Sequence, residues 1–271
     1  MTSISSIANR RARLSPWISP IASVFLLLFL WQATVSFFNV PTYLLPKPLE
    51  ILSTFARNPG LLLSNATPSL YESISGFLLS VAIGIPLAFL TVWSTSFGRT
   101  VMPFLVFSQV VPKVAIAPLL LIWFGIGLTS KVLIVFMMAF FPIFISTISG
   151  LRAVDQDMLN MMNSMRPSKF QLFLKLRIPN SLPFLLDGLK LAVTRSVIAA
   201  VVAEWISSDK GLGYLIIYAD AASDSPLMFG AIALLAAMGL GFFMCITAVG
   251  RLMIPWYFAM RKTEVVRDQK Y

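Results

Sequence analysis

Lys113, Arg195 and Glu204 are ionisable side chains set inside long apolar runs of a 271-residue sequence. A charged group at mid-bilayer costs about 2.5–3.5 kcal/mol on insertion scales. It is kept where it finds a partner, water or a polar solute. Three kinds of chemistry are therefore open: a packing ion pair, a wet pathway or gate, and a proton relay. The relay lacks parts, because no two carboxylates fall within one turn inside an apolar run. Histidine is absent and cysteine occurs once, as Cys245. No Cys/His metal site and no intrachain disulfide can form, and Cys245 reads as a small buried apolar residue. The sequence contains no G-x-x-x-x-G-K-[ST], H-E-x-x-H or G-x-S-x-G, so neither ATP hydrolysis nor protease or esterase chemistry is expected of it. No catalytic residue and no cofactor is assigned.

A second set of residues suits mechanical work. Between residues 155 and 183 a polar, basic stretch separates two apolar runs. Met158, Met161, Met162 and Met165 fall at i, i+3, i+4 and i+7, which is one helical face. Phe170, Phe173 and Leu174 repeat that spacing, flanked by Lys169, Lys175 and Arg177. The spacing predicts two short amphipathic helices broken at Arg166, Pro167 and Ser168. Two apolar stripes on a water-exposed loop are expected to be gripped by another protein.

The elements that must hold these residues are membrane spans. Hydrophobic residues make up 58% of the chain and charged ones 12%, with mean hydropathy +0.84; soluble domains carry about 25% charged residues. Apolar runs long enough to cross a bilayer cover 18–38, 73–97, 101–128, 132–151 and 226–250, and a charge-bearing sixth covers 182–206. The expected fold is all-α with six transmembrane helices. Residues 1–17 and 251–271 form tails, 39–66 an outer loop with a surface helix over 49–57, and 67–250 the main transmembrane domain, which contains the 152–183 loop. The first run exceeds a signal-peptide core and no A-x-A-like site follows, so it reads as an uncleaved helix.

The net charge of +10 is explained by topology rather than by nucleic acid. With the N-terminus inside, fifteen Lys/Arg lie in inner segments and four (Lys47, Arg57, Lys131, Lys210) in outer ones. The positive-inside rule then puts both termini and the 152–183 loop in the cytoplasm. Lys113 falls about 11 residues, or roughly 17 Å, from either end of the 101–128 run. It reads either as a packing charge, with Asp187, Arg195 or Glu204 as neighbours, or as a residue of the substrate path. Asp187 and Lys190 are expected to pair with each other. Glu204 reads as a capped carboxylate or as part of a gate, and Gly211 and Gly213 as turn residues rather than a phosphate cradle. Pro86, Pro103, Pro112, Pro118 and Pro142 lie within the expected spans, where each removes a backbone hydrogen bond.

Several short pieces in order resemble one family over about residues 40–250. They are Tyr43-Leu44-Leu45-Pro46-Lys47-Pro48, Ser69-Leu70 with Gly76-Phe77, Val111-Pro112-Lys113 through Ala117-Pro118-Leu119, Trp123-Phe124-Gly125 with Ser130-Lys131, and Phe141-Pro142-Ile143 with Gly150. Beyond the loop come Ile178-Pro179, Leu182-Pro183, Gly188-Leu189-Lys190, Ala203-Glu204 and Gly211-Leu212-Gly213. Together they resemble the membrane subunit of type I ABC importers, in the branch of nitrate, sulfonate, taurine and pyrimidine-precursor permeases. The resemblance implies a permease of the bacterial inner membrane that forms a homodimer. It implies ATP-binding cassette ATPase subunits and a periplasmic substrate-binding protein as partners. It also makes the loop an ATPase-coupling element, with Met158, Met161, Met162, Met165, Arg166, Ser168, Phe170, Phe173 and Lys175 as its contact residues. The family's loop pattern E-A-A-x-x-x-G is altered here: Asn160, Met161 and Met162 stand at E-A-A and Arg166 stands at glycine. Glu72 stands where the family has arginine. An ion-coupled secondary transporter and a non-transport scaffold for a cytoplasmic complex are the rival readings; a neighbouring gene for a P-loop ATPase would separate them.

Overall fold

The computed structural model of the chain describes residues 18–257, with side chains from residue 22 onward. Eleven α-helices and one π-helical segment make up the described part, which has no strand. The 1–17 tail and residues 258–271 of the expected C-terminal tail lie outside the described residues, as do the charges they carry.

Three helices form the centre: α3 (Pro59–Trp93), α6 (Leu128–Arg152) and α9 (Ile178–Ser207). The middle one, α6, packs along both of the others and buries Val135, Ala139, Ile143, Phe144 and Leu151. Glycines set how closely the three approach. A Cβ on Gly76 would lie 2.4 Å from the Val135 side chain, and one on Gly188 would lie 2.6 Å from Ser146 Cβ. Small residues at such contacts let helix backbones pack tightly where lipid offers no hydrophobic drive. Ser80 Oγ adds an interhelical bond to the Phe136 carbonyl, at 3.1 Å.

Around this block lie α1 (Ile18–Phe37), α2 (Pro48–Arg57), α4 (Thr95–Val110), α5 (Lys113–Phe124), α10 (Leu212–Ala221) and α11 (Ser225–Met253). Helix α2 begins with a proline, and the Glu50 carboxylate accepts the Lys47 N–H at 3.0 Å. It is less of a surface helix than its sequence suggests, because Ile51 and Thr54 are buried and the helix packs on α11. Cys245 is also a correction: it is exposed on α11 rather than buried.

The largest departure concerns the 101–128 run, expected as one span. It is two helices, α4 and α5, bent by 99° at Val111 and Pro112. Both residues are extended, at ψ 124° and 108°. A residue before proline avoids the α region, and proline cannot donate the next helical bond. By contrast, Pro68, Pro86, Pro103, Pro118, Pro142 and Pro183 all sit within continuous helices. The second run also differs: its helix starts fourteen residues earlier than 73, at Pro59. Among the described residues, α3, α6 and α11 are each long and apolar enough to cross a membrane, and the bent α4–α5 pair would make a fourth.

Candidate coupling loop and interior charges

The loop between α6 and α9 folds from local rules. Asp155 caps α7 (Gln156–Ser164): its Oδ1 accepts the N–H of Asp157 at 2.8 Å and of Met158 at 3.3 Å. Helix α7 ends at Arg166, which has φ 50°. That is the left-handed region, costly for a residue with a Cβ by about 1–2 kcal/mol, and the physical reason a glycine suits the position. Ser168 then caps α8 (Lys169–Leu172) in a reciprocal box. Its Oγ accepts the Gln171 N–H at 3.2 Å, and Gln171 Oε1 accepts the Ser168 N–H at 2.9 Å. The chain continues without a break through the π-helical segment Phe173–Arg177 into α9.

The two apolar stripes behave differently. Met158, Met161 and Met165 are 50%, 64% and 74% exposed, and Met162 is half-buried; α7 packs extensively on no other helix. Contrary to expectation, the second stripe is engaged within the chain. Phe173 meets Trp93 edge-on at 5.3 Å and Phe89 at 5.9 Å, and Phe170 meets Trp93 at 6.4 Å. Edge-to-face pairs of this kind add about 0.5–1.5 kcal/mol each beyond area burial. Phe170 and Phe173 thus fasten the loop to the end of α3, although Phe170 is still 61% exposed. Lys175 is exposed on the π-helical segment.

Of the three interior charges, Lys113 opens α5 rather than sitting mid-span. Its Nζ lies 4.7 Å from the centroid of the Phe141 ring, within cation–π range. No carboxylate pairs with it among the described residues; its charged neighbour is Arg195, which repels it. Arg195 is exposed on α9. Asp187 is taken by Lys190 at 3.2 Å, as the i, i+3 spacing predicts.

Glu204 pairs with neither of the other two. It is 1% exposed and held by a backbone and side-chain cradle: Ser69 Oγ donates to Oε1 at 2.5 Å and the Gly213 N–H to Oε2 at 2.6 Å. Gly211 has φ 119°, and a Cβ on it would fall 2.2 Å from the Glu204 carboxyl carbon. The Gly-Leu-Gly turn is therefore shaped around the chain's own carboxylate. Glu204 is a buried, capped carboxylate in this geometry.

Sequence reasoning missed the pair beside it. Lys131 Nζ donates to Glu72 Oε1 at 2.8 Å and to Ser208 Oγ at 2.7 Å, with Lys131 8% and Glu72 2% exposed. Asn65 Oδ1 accepts the Gly211 N–H at 2.9 Å, and Ser69 Oγ accepts the Leu212 N–H at 2.8 Å. Charges and polar groups from α3, α6, α9 and α10 thus form one buried network. Lys131 was assigned to an outer segment because it precedes an apolar run. Nothing in the spacing links it to a carboxylate 59 positions away.

With this geometry in place, comparison defines the class. Residues 80–258 match the family described as binding-protein-dependent transport system inner membrane component. The chain belongs to that family, the permease components of ABC importers. It is 35% identical to a probable ABC transporter permease protein of Haemophilus influenzae, over 82% of this chain and 91% of that one. It is 33% identical to the formylaminopyrimidine transport permease protein ThiX of Halalkalibacterium halodurans, over 88% of this chain and 96% of that one. The fold is that of the methionine ABC transporter MetNI in inward facing conformations, at a TM-score of 0.62, covering 71% of this chain and 95% of that one. Identity there is 16%.

Proposed function

We propose that this chain forms the translocation path of a bacterial inner-membrane importer as a homodimer, driven by separate ATPase chains and fed by a periplasmic binding protein. Each copy would cross the membrane six times, α1, the α4–α5 pair and α9 joining the three long apolar helices, with both termini in the cytoplasm. The solute is small and polar. A pyrimidine-type vitamin precursor is favoured over sulfonate, taurine or nitrate by the 33% identity to a permease named for formylaminopyrimidine. Lys113 and Arg195, cations on α5 and α9 with no carboxylate partner among the described residues, are the groups proposed to face that solute or its gate. A secondary carrier or a scaffold is disfavoured by the family.

The observation that carries the coupling role is the division of labour in the loop. Helix α7 leaves Met158, Met161 and Met165 exposed among the described residues, whereas the segment after it is fastened to α3 and continuous with α9. A partner that grips α7 therefore pulls on two central helices at once. Methionine is unbranched and packs adaptably in a groove, which offsets the loss of the E-A-A pattern. In alternating access, closure of the ATPase dimer would move α7 and rock the helices with it.

The test is to replace Met162 and Met165 together by Asp. Burying two unpaired carboxylates in an apolar contact costs several kcal/mol, at 1.4 kcal/mol per decade of affinity. The variant is expected to insert and dimerise, to lose its ATPase on copurification and to lose uptake. Full retention of ATPase and transport would remove α7 as the transmission element.

A further inference from the structure

Three arginines from three elements converge at the loop end of the bundle. Arg99 comes from the first turns of α4, Arg152 from the last residue of α6, and Arg177 from the last residue of the π-helical segment. They line one cleft of about 540 Å³ together with Thr91, Thr95 and Met102. No carboxylate lines it, and none of the three arginines makes an ion pair among the described residues. Like charges gathered this way repel, and surface arginines are ordinarily interleaved with acids. Local packing enforces the convergence. A Cβ on Gly98 would lie 2.5 Å from the Thr91 carbonyl oxygen, so α4 closes tightly on the end of α3 and brings Arg99 to the cleft. The π-helical winding sets where Arg177 falls; such segments recur at functional sites.

We infer that this cleft binds the phosphate of an anionic phospholipid headgroup. Guanidinium forks match phosphate oxygens in pairs, and basic pockets between membrane helices hold anionic lipid heads. The surroundings favour a lipid over a soluble phosphate. Directly beyond the cleft, α4 exposes Phe104, Val106, Phe107 and Val110, an apolar strip along which acyl chains can lie. The leaflet follows from the orientation proposed above; the phosphate contact does not depend on it. A lipid held here would tie the root of the loop, through Arg177, to the ends of α4 and α6, so that lipid composition would set how freely the loop moves.

The experiment uses the delipidated full chain in detergent, titrated with phosphatidylglycerol, cardiolipin or phosphatidylcholine of equal acyl length, with bound lipid read by native mass spectrometry. No ATPase is present, so this inference and the coupling role fail or stand separately. Anionic lipids should bind and phosphatidylcholine should not. Each of R99Q, R152Q and R177Q should weaken binding about fivefold, and the triple variant on the order of a hundredfold, at roughly one juxtamembrane charge interaction per arginine. The R99K/R152K/R177K variant keeps the charge but loses the forks, so its affinity should fall between those of the unaltered chain and the triple glutamine variant; far-ultraviolet circular dichroism equal to that of the unaltered chain shows that loss in the glutamine variants is not misfolding. R57Q, outside the cleft, should bind as the unaltered chain does. Equal binding by the triple glutamine variant, or equal binding of phosphatidylcholine, overturns the inference. So does full competition by inorganic phosphate or methanesulfonate, which would mark a site for soluble anions.

Discussion

Replacing Lys131 by Met should destabilise the protein more than any other single change at a charged position. At 2.8 Å and an effective dielectric of about 20, the Glu72–Lys131 attraction is about 6 kcal/mol before desolvation is subtracted. Removing one partner of such a buried pair costs about 3–5 kcal/mol, because the other charge is left uncompensated. Here the loss is compounded. Lys131 attracts Glu204 as well as Glu72, and the two carboxylates repel each other. One oxygen of Glu72 already lacks a hydrogen-bond partner. Glu72→Gln should be milder, about 1.5–3 kcal/mol for one charged hydrogen bond, since Lys131 keeps Ser208 and the field of Glu204. Because membrane bundles unfold irreversibly, the readout is a rate: the half-life of helical circular dichroism for the purified chain at a fixed raised temperature. If the whole loss falls on the unfolding barrier, K131M shortens that half-life on the order of a hundred- to several-thousandfold. The double variant E72Q/K131M should be more stable than the sum of the single losses, by about 0.5–3 kcal/mol of coupling. Additive losses, or a K131M half-life equal to that of the unaltered chain, would refute the claim that this network holds the bundle.

Orientation and pathway can be checked in the same strains. A reporter active only in the periplasm, fused after Tyr271, should be silent; strong activity would reverse the orientation and remove the loop from the cytoplasm. A cysteine at Lys113, in a background lacking the exposed Cys245, should react with a small aqueous thiol reagent, at a rate that changes with nucleotide in the assembled transporter. A site inert in every state would leave Lys113 as a packing residue over Phe141.

The loop was legible because its rules are local. Asp155 and Ser168 are side-chain caps, Pro167 is a breaker, and the methionine spacing is a helical period, so α7 and the break after it follow from adjacent residues. Three of the apolar runs, 73–97, 132–151 and 226–250, were legible as long apolar helices for the same reason. The 99° bend was within reach: Val111-Pro112 carries it, but a hydropathy window averages a proline away and sees one run. Identical residue types gave opposite outcomes, since Pro86 and Pro142 are absorbed into continuous helices. The difference lies in what fills the freed backbone positions, which is tertiary. Phe173 was read as partner-facing because its spacing matched Phe170, yet spacing does not say what covers a face, and Trp93 lies 80 positions away. The Glu72–Lys131 pair was illegible for that reason in its strongest form. The Glu204 cradle was partly legible, because a Gly-x-Gly turn seven residues on is a place where backbone N–H groups can reach a carboxylate.

The positions of these contacts suggest why the bundle can work as a lever. Lys131 lies in the first turn of α6 and Glu204 in the last turn of α9, and they meet α3 at Glu72 and Ser69, in its first half, so the network ties the three helices together where α6 begins and α9 ends. Trp93, Arg152 and Phe173 stand at the other end of the same three helices. The 27 residues from Ile178 to Glu204 span roughly 39 Å at the helical rise. Between the two ends the contact is mostly apolar and close-packed, with the Ser80–Phe136 hydrogen bond within it and glycines at the tightest approaches. Packed interiors of this kind resist continuous deformation. Under the proposed coupling, a pull on α7 would enter α9 through the π-helical segment and α3 through the Trp93–Phe173 contact. The far network would keep the pulled helices from sliding past each other. Displacement at the loop would then be delivered as rotation of the whole block, while the bend between α4 and α5 would let those two helices follow at different angles.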